Sequence, residues 1–499
     1  MPSITFKDFQ GGLDLRQGST VADANRLRVL KNAYVTTGKS IKKRPALKLE
    51  ATFAEASASQ SMYGLFAING KLVTFHGYAL STSNIASTPD SRFYSYYLNN
   101  PSGAYSLTGV ECAFSFTGET AVGYELKSYP MVQAIWENAA PYQRTVTFIG
   151  QTSNYAVPSQ PVSVSDFNQN KPMIKKSNRV WLTSQDKENV FFSKLNDART
   201  WGSTPSVAAD AGFLGVASNQ NSSTRVTALG EYGNKLIVFF SDSTQIWTVD
   251  PDQTLNKLDQ IIPIGTKYPF SHVAVGNDIF FVSPQGIRSI SQVSGIVGNL
   301  SEYDVGSPIN SMLVGILGFF GENEPKAFYL RSFGQVWFYV NNKALVYTFS
   351  QSSKISCWSV YEFPVNIEYM CELDDKVYIR SGRYVYSLDS SVYVDDGDEA
   401  IDVQIELPFL DFKQSGVLKQ VIGLDAMFSG TANLQHRFDS LNPSIITEPI
   451  SLTGDTRARG VVPVELMTTS LSPVITHSAN ESFELFGLVY YFEPLGVFP

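Results

Sequence analysis

An all-β fold is predicted by three features of the sequence. Sustained helical periodicity is missing, short apolar runs are punctuated by Gly, Ser, Asn and Thr, and aromatic residues make up 13% of the chain, a bias that favours strands. The 499 residues, 43% apolar and 17% charged, are enough for two to four folded domains with a large core and exclude a disordered chain.

The first element to justify is "AYVTTGKSIKKRP", residues 33–45, because it imitates a phosphate-binding loop. Such a loop needs a buried strand before it and a helix starting at the Lys, so that backbone amides face the phosphates. Here Arg26, Arg28 and Lys31 interrupt the preceding run, and Pro45 would stop a helix within two turns. The run "LIVFFSD" at 236–242, a stand-in for a magnesium-holding motif, resembles other runs in the chain. The reading adopted is a β-hairpin, entered at Tyr34 and Val35 and left at Ile41, with no catalytic role for Lys39.

Charge is divided unevenly. Residues 1–50 hold ten Lys/Arg against four Asp/Glu, a balance of +6, which leaves −14 for the rest of a chain whose net charge is −8. The overall balance argues against a general nucleic-acid binder. The basic segment 1–50 is expected to be a docking platform, with Arg26, Arg28, Lys42, Lys43 and Arg44 as its assembly interface.

From residue 69 onward a hairpin pattern recurs: "NGKLVTFHGYALS", "NRVWLTSQDKENVFFS", "NKLIVFFSDSTQIWTV", "NDIFFVSPQGIRSIS", "GQVWFYVNNKALVYTF" and "DKVYIRSGRYVYSL". The last five copies recur at the length of a four-stranded propeller blade. Their nearly continuous apolar runs suit strands covered on both faces. Asn341-Asn342 and Ser381-Gly382 can supply positive φ, and Pro284 with Gly286 a turn and bulge. A β-propeller of five to seven blades is expected over 51–88 and 166–393, with Trp181, Val238, Phe280, Trp337 and Tyr378 in its core. The Tyr- and Ser-rich stretch 89–165 is expected to be an inserted β subdomain. "VDDGDE" (394–399) reads as a solvated acidic linker. Beyond it, "AIDVQIELPFLDF", "KQVIGLDAMFSG", "ANLQHRFDS", "RGVVPVELM" and "ESFELFGLVYYFE" alternate at period two, which predicts a separate C-terminal β-sandwich over 394–499. With the N-terminal segment it would form a platform.

Little catalytic chemistry is visible. His76, His272, His436 and His477 lie far apart, with His76 placed in the turn of the first hairpin. Cys112, Cys357 and Cys371 fit neither a disulfide framework nor a zinc spacing, so no cofactor or metal is expected. The start lacks a signal-peptide layout, and the longest apolar run, near 312–320, is about half a membrane span. A soluble chain made in a reducing cytoplasm is expected, with no membrane insertion. Sialidase-like turns are approached by "SKLNDARTWGS", with Asp197, Thr200 and Trp201, and by "SSKISCWSVYEF", with Trp358. Those turns are structural even where complete, and no acid–base pair of carboxylates can be selected. The chain is expected not to be an enzyme. The alternative is a receptor- or glycan-binding propeller with glycoside hydrolase activity.

"FQGGLDLR" at 9–16 followed by "NRLRVLKNAYVTTGKSIKKRP" resembles the opening of the tail nozzle proteins of short-tailed bacteriophages, also called tail tubular or DNA-stabilisation proteins. The shared elements are a Gly-Gly-Leu, an Asn followed by an aromatic (Asn32, Tyr34), a Gly turn (Gly38) and a basic run ending Arg44-Pro45. Ala46 stands where a Gly usually follows. "NRVWLTSQDKENVFFSKLNDARTWGS" and "IELPFLDFKQSGVLKQVIGLDAMFSG" also resemble this family, whereas 89–165 does not. The resemblance implies a structural virion-tail protein, made in the bacterial host cytoplasm, that forms a homo-oligomeric ring of six below the head-to-tail adaptor. Tail fibres or a tail needle would be further partners. Genomic DNA would pass during ejection without sequence-specific binding, along a wall that the −14 balance of residues 51–499 keeps from gripping it.

Overall fold

The computed structural model describes residues 2–52, 62–68, 71–76, 84–85, 93–97, 111–117, 120–127, 132–137, 144–149, 174–183, 188–195, 209–217, 225–249, 256–291, 304–313, 319–321, 323–458 and 460–497. Of residues 84–149 only the backbone is described. Within these residues the chain is all β. Its named helices are single turns, Ser307–Ile309, Asn310–Leu313 and Thr456–Ala458.

Five antiparallel meanders follow the expected repeat. They are Ile174–Lys176, Arg179–Thr183, Asn189–Phe192 and Gly212–Gly215; Val226–Tyr232, Lys235–Phe240, Thr244–Thr248 and Lys257–Ile262; and His272–Val275, Asp278–Ser283 and Gly286–Ser289. Then come Lys326–Leu330, Gln335–Val340, Lys343–Ser350 and Ile355–Glu362, and finally Tyr369–Leu373, Lys376–Ser381 and Tyr384–Asp389. The turns use the residues suited to them: Asn341, Gly382 and Gly286 have φ of 49°, 55° and 125°, a region that asparagine and glycine tolerate.

The run from residue 69 behaves differently. Lys71–His76 pairs antiparallel with Met62–Ile68 before it and parallel with Phe93–Tyr97 after it. His76 therefore ends a strand rather than lying in a turn. Phe93–Tyr97 falls within the stretch expected as an insertion, yet its backbone bonds join it to the first hairpin's sheet. The same stretch holds a further sheet of Glu111–Thr117, Thr120–Lys127, Val132–Glu137 and Arg144–Ile149.

Among the described residues these seven sheets succeed one another edge to edge. Met62–Ile68, Thr120–Lys127, Ile174–Lys176, Val226–Tyr232, His272–Val275 and Lys326–Leu330 are neighbours in that order, and Tyr369–Leu373 lies against Met62–Ile68. The sixth and seventh sheets share a core in which Trp337, Val346 and Tyr361 meet Met370, Ile379 and Leu388. The circle of sheets is thereby closed. Ala46–Thr52 completes the seventh sheet, antiparallel to Tyr384–Asp389. Trp181, Val238, Phe280, Trp337 and Tyr378 are all buried, as expected of strands covered on both faces.

The C-terminal strands form two layers, but not a separate domain. One layer orders Val462–Thr468, Val417–Ser429, Glu484–Val497, Ile41–Lys43 and Ala33–Val35, with Ser3–Lys7 also on Glu484–Val497. The other continues the sixth sheet: Val29–Lys31 pairs with Ile355–Glu362 and is followed by Val403–Glu406, Ser472–His477, Thr431–Arg437 and Ile450–Thr453. Leu30, Ile405, Leu434 and Ile475 pack with Val421, Leu424, Leu488 and Phe492 in one buried cluster. The period-two alternation holds in Val403–Glu406 and Thr431–Arg437 and breaks in Val417–Ser429, where Gly423, Leu424, Asp425 and Ala426 are all buried; what it cannot show is that one layer's edge pairs onward into the circle.

Candidate assembly interface

The N-terminal segment is woven into the body from its first turn. Gly12 has φ of 53°, and a Cβ there would stand 2.4 Å from the Cys357 Cβ; one on Gly11 would stand 2.6 Å from the Asn25 carbonyl. The Gly-Gly pair is thus required by close backbone approach, and it lets Leu13 pair with Trp358. The buried Asp14 carboxylate accepts from Arg16 and lies 3.1 Å from Arg26. Burial raises its pKa, but the hydrogen bonds from Arg16 and the charges of Arg16 and Arg26 outweigh that and hold it below the ordinary value.

Residues 33–43 form the expected hairpin, Ala33–Val35 paired with Ile41–Lys43. Lys39 sits at its turn with φ of 65° and makes a 3.0 Å ion pair with Asp8. No helix follows Ser40, because the chain continues as a strand.

The basic run splits by strand parity. Ile41 and Lys43 point inward and Lys42 outward. Arg44, next in line, is 1% exposed at its side chain, and all five of its N–H donors are engaged. Nε donates to Asn32 Oδ1 at 3.1 Å, one Nη to the Pro45 carbonyl and to Asp395 Oδ1, and the other to the Glu362 carbonyl and to Asp395 Oδ2 at 2.5 Å. Its guanidinium lies 4.2 Å from the Phe363 ring centroid, a cation–π contact. Asn32, with φ of 53°, ties this knot outward, donating to the Asp402 carbonyl and accepting from the Glu362 amide. The resemblance motif's Asn and Arg are therefore direct partners.

Lys43 is equally internal. Its Nζ donates to the carbonyls of Ala479 and Glu481 and to His477 Nε2 at 3.2 Å. His477 Nδ1 lies 2.6 Å from the Thr431 carbonyl, which makes Nδ1 the protonated nitrogen and leaves Nε2 to accept. Burial, with the charge of Arg44, pushes Lys43 down to about 8. Burial, with the charge of Lys43, lowers His477.

These placements correct the expected interface. Lys43 and Arg44 cannot meet a neighbouring molecule, because the chain's own interior occupies them. Arg26 pairs with Asp14 and Asp23. Among the described residues Lys42 and Arg28 form no ion pair; Arg28 donates to the Gln17 carbonyl. Part of the +6 balance is met within the chain, since Lys31, Arg44 and Lys48 pair with Glu362, Asp395 and Asp389. "VDDGDE" is corrected too. Val394–Asp395 pairs with Glu399–Ala400, and Asp395 is the buried partner of Arg44 rather than a solvated linker residue.

Asp197, Thr200 and Trp201 lie outside the described residues, and so does the side chain of Cys112. Trp358 sits mid-strand in the core, its indole N–H on the Val305 carbonyl, and is not a turn residue. Cys357 and Cys371 are free and buried. Among the described residues no group of three or more His, Cys, Asp or Glu could hold a metal, and no helix is long and apolar enough to cross a membrane.

No family model matches the chain, and no curated protein matches it. Solved structures resemble it distantly. The extracellular domain of a one component system from B. thetaiotaomicron shares 8% identity over 93% of this chain and 62% of that one, with a TM-score of 0.25. A fructofuranosidase from Schwanniomyces occidentalis shares 12% identity over 66% of this chain and 82% of that one, with a TM-score of 0.19. Likenesses at these scores bear on neither fold nor activity.

Proposed function

We propose that this chain is a non-enzymatic structural subunit of a short-tailed phage virion, one copy in a nozzle ring, of six copies in related proteins, below the head-to-tail adaptor. We read the closed circle of seven sheets as a β-propeller and the two C-terminal layers, with the N-terminal strands, as its platform. The observation that carries the reading is local. Gly11, Gly12, Asn32 and Arg44, four of the residues of the resemblance, help to fasten the N-terminal strands to the body. A conduit for DNA under pressure needs a stiff joint between the part that docks and the part that surrounds the channel, and Arg44 supplies one. The negative balance of residues 51–499 supports a wall along which duplex slides without being gripped. Arg28 and Lys42 remain as cations available to the adaptor or to fibre proteins.

The test is to image the purified full-length chain and to label virions with an antibody against it. Closed rings with an opening wide enough for duplex DNA, and label confined to the tail, are expected. A chain absent from the particle would sink the reading.

A further inference from the structure

The platform turns one well-fastened loop out to solvent. Residues 438–449 join Thr431–Arg437 to Ile450–Thr453. Every residue from Ser440 to Ile446 is exposed, Leu441 at 95%. Asp439 Oδ1 accepts from the Leu441 amide at 2.9 Å, and the Asn442 carbonyl accepts from the Ile445 amide. At the base Arg437 donates to the Pro443 carbonyl, Ile446 bridges back to Arg437, and the Thr447 amide donates to the His436 carbonyl. Leu441, Ile445 and Ile446 are thus held outward by their own backbone, and little ordering is left to lose on binding.

The outer face of the six-stranded layer offers a counterpart. Gly487 stands opposite Lys7 and Met427. A Cβ on it would lie 3.3 Å from the Lys7 Cβ and 2.6 Å from the Met427 Cε, so both side chains share its outward face. Next to it is Phe486, 48% exposed. Leu485 and Leu488 both face the core, and the register shift between Met427 and Phe428 is the change of parity that turns Phe486 out. One patch thereby holds an aromatic side chain, an adaptable thioether and a cation.

Loop and patch lie at opposite ends of different layers. Thr468 Oγ1 donates to the Phe438 carbonyl, where the loop begins, at 3.0 Å. Thr468 stands opposite Lys419, which stands opposite Pro494. Pro494 is eight residues along the strand from Phe486, about 26 Å at ~3.3 Å per residue. A loop tied to its own base cannot fold back over that distance.

We infer that the loop of each copy docks on the Lys7–Met427–Phe486 patch of the next copy, Leu441 covering Phe486 and Met427. From Asp439 to Pro449 the loop has two acids, Asp439 and Glu448, and no Lys or Arg. Among the described residues neither acid nor Lys7 forms an ion pair, whereas Arg437 is paired with Glu406 and Asp8 with Lys39. The opposite signs set the register of the contact. Because loop and patch differ, each added copy leaves one of each open until a ring closes. Among the described residues of the circle, the exposed large apolar side chains Leu49, Phe213 and Ile261 sit singly on the outermost strands of separate sheets, and no comparable pair of surfaces forms there. The inference rests on the ring reading and supplies its contact.

Sedimentation velocity with full-length proteins tests it. Wild type is expected to sediment as a closed ring. The loop variant Leu441→Ser/Ile445→Ser and the patch variant Lys7→Glu/Phe486→Ser should each stay monomeric. Association should weaken by roughly tenfold or more, the worth of burying one large aliphatic side chain. Mixed in equal amounts, the variants should form a heterodimer and nothing larger, since each pair holds one working loop and one working patch. That product also shows that both are folded. Lys7→Glu alone, a surface change, should weaken ring formation most at low salt, where exposed charges are least screened. Rings that persist in either double variant overturn the inference and leave the conduit standing. Variants that are folded by circular dichroism but do not pair on mixing overturn it too. A wild type that is monomeric at every concentration also overturns it, while antibody label on the virion tail would still uphold the conduit.

Discussion

Arg44 and Asp395 stand 351 residues apart in the chain, and their buried ion pair joins the two places where the backbone passes between the platform and the circle of sheets. Arg44 follows the platform strand Ile41–Lys43 and precedes Ala46–Thr52, which completes the seventh sheet. Asp395 follows the last strand of that sheet, Tyr384–Asp389, and precedes the platform strand Val403–Glu406. Asp395 also accepts from the Leu47 amide at 2.8 Å, so the carboxylate grips the incoming strand as well as the arginine.

Removing either partner leaves the other charge buried without its counter-ion, which costs about 3–5 kcal/mol. Arg44→Met and Asp395→Leu should each lower stability by that amount in urea titrations. The double variant should cost clearly less than the sum, because it leaves no orphaned charge. Additivity within ~0.5 kcal/mol would mean that the two residues stabilise the fold separately and that the clamp is not a unit.

The neighbouring lysines are expected to part company. Lys42→Gln changes an outward side chain without setting a second carboxylate opposite Glu484 and should shift stability by no more than about 0.5 kcal/mol. Lys43→Glu puts a carboxylate against the carbonyls of Ala479 and Glu481 and should prevent folding or lower the melting temperature sharply. Thermal melts of the two single variants decide this. Equal, small effects would show that Lys43 is not held in the interior.

This division shows what the sequence could and could not disclose. The hairpins were legible because each depends on short, nearly continuous apolar runs and on turn residues such as Asn341 and Gly382. Strand parity was legible as well: in Ile41-Lys42-Lys43 the residue two places from a buried isoleucine shares its face, a signal that a count of basic residues overlooks. Asp395 was not legible. Five of the six residues in "VDDGDE" are acids or glycine, and local composition favours solvent for all of them. Only Arg44, far away in the chain, makes one of them a buried partner. The continuous sheet joining platform and circle was hidden for the same reason, since edge pairing such as Val360 with Lys31 leaves no mark on either strand's own pattern.

Trp337 should be among the costliest truncations in the circle of sheets. It is 1% exposed, donates its indole N–H to Gln335 Oε1 at 3.0 Å, stacks on Phe363 and meets Tyr361 edge-on. Trp337→Ala should cost about 3–5 kcal/mol, the range for deleting a large buried aromatic. A loss below ~1 kcal/mol in denaturant titration would show that the cavity collapses, or that the sixth and seventh sheets do not share this core.

Acid sensitivity should appear well above the usual carboxylate range. Burial pushes His272 and His436 down to about 4 and also lowers His477, against about 6.5 in an unfolded chain. Between those values the unfolded chain takes up protons that the folded chain refuses, so stability falls as pH drops. Asp304 works in the opposite direction. Burial, opposed by Arg288, pushes it up to about 7, so the folded chain keeps a proton that the unfolded one has lost, and this offsets one histidine. His272 and His436 against Asp304 leave a net uptake on unfolding of about one proton, a slope of roughly 1.4 kcal/mol per pH unit near pH 5, and His477 adds to it in the same direction. Carboxylates held low in the fold, such as Asp14, add their losses only at still lower pH. Urea midpoints at closely spaced pH values between 7 and 4.5 should trace this fall. His436→Gln, which can still accept from the Tyr490 hydroxyl that lies 2.9 Å from His436 Nε2, should reduce the slope by about one proton, ~1.4 kcal/mol per pH unit. A wild-type stability that stays flat from pH 7 to 5 would mean that these imidazoles are protonated in the fold and that the surroundings assigned to them are wrong.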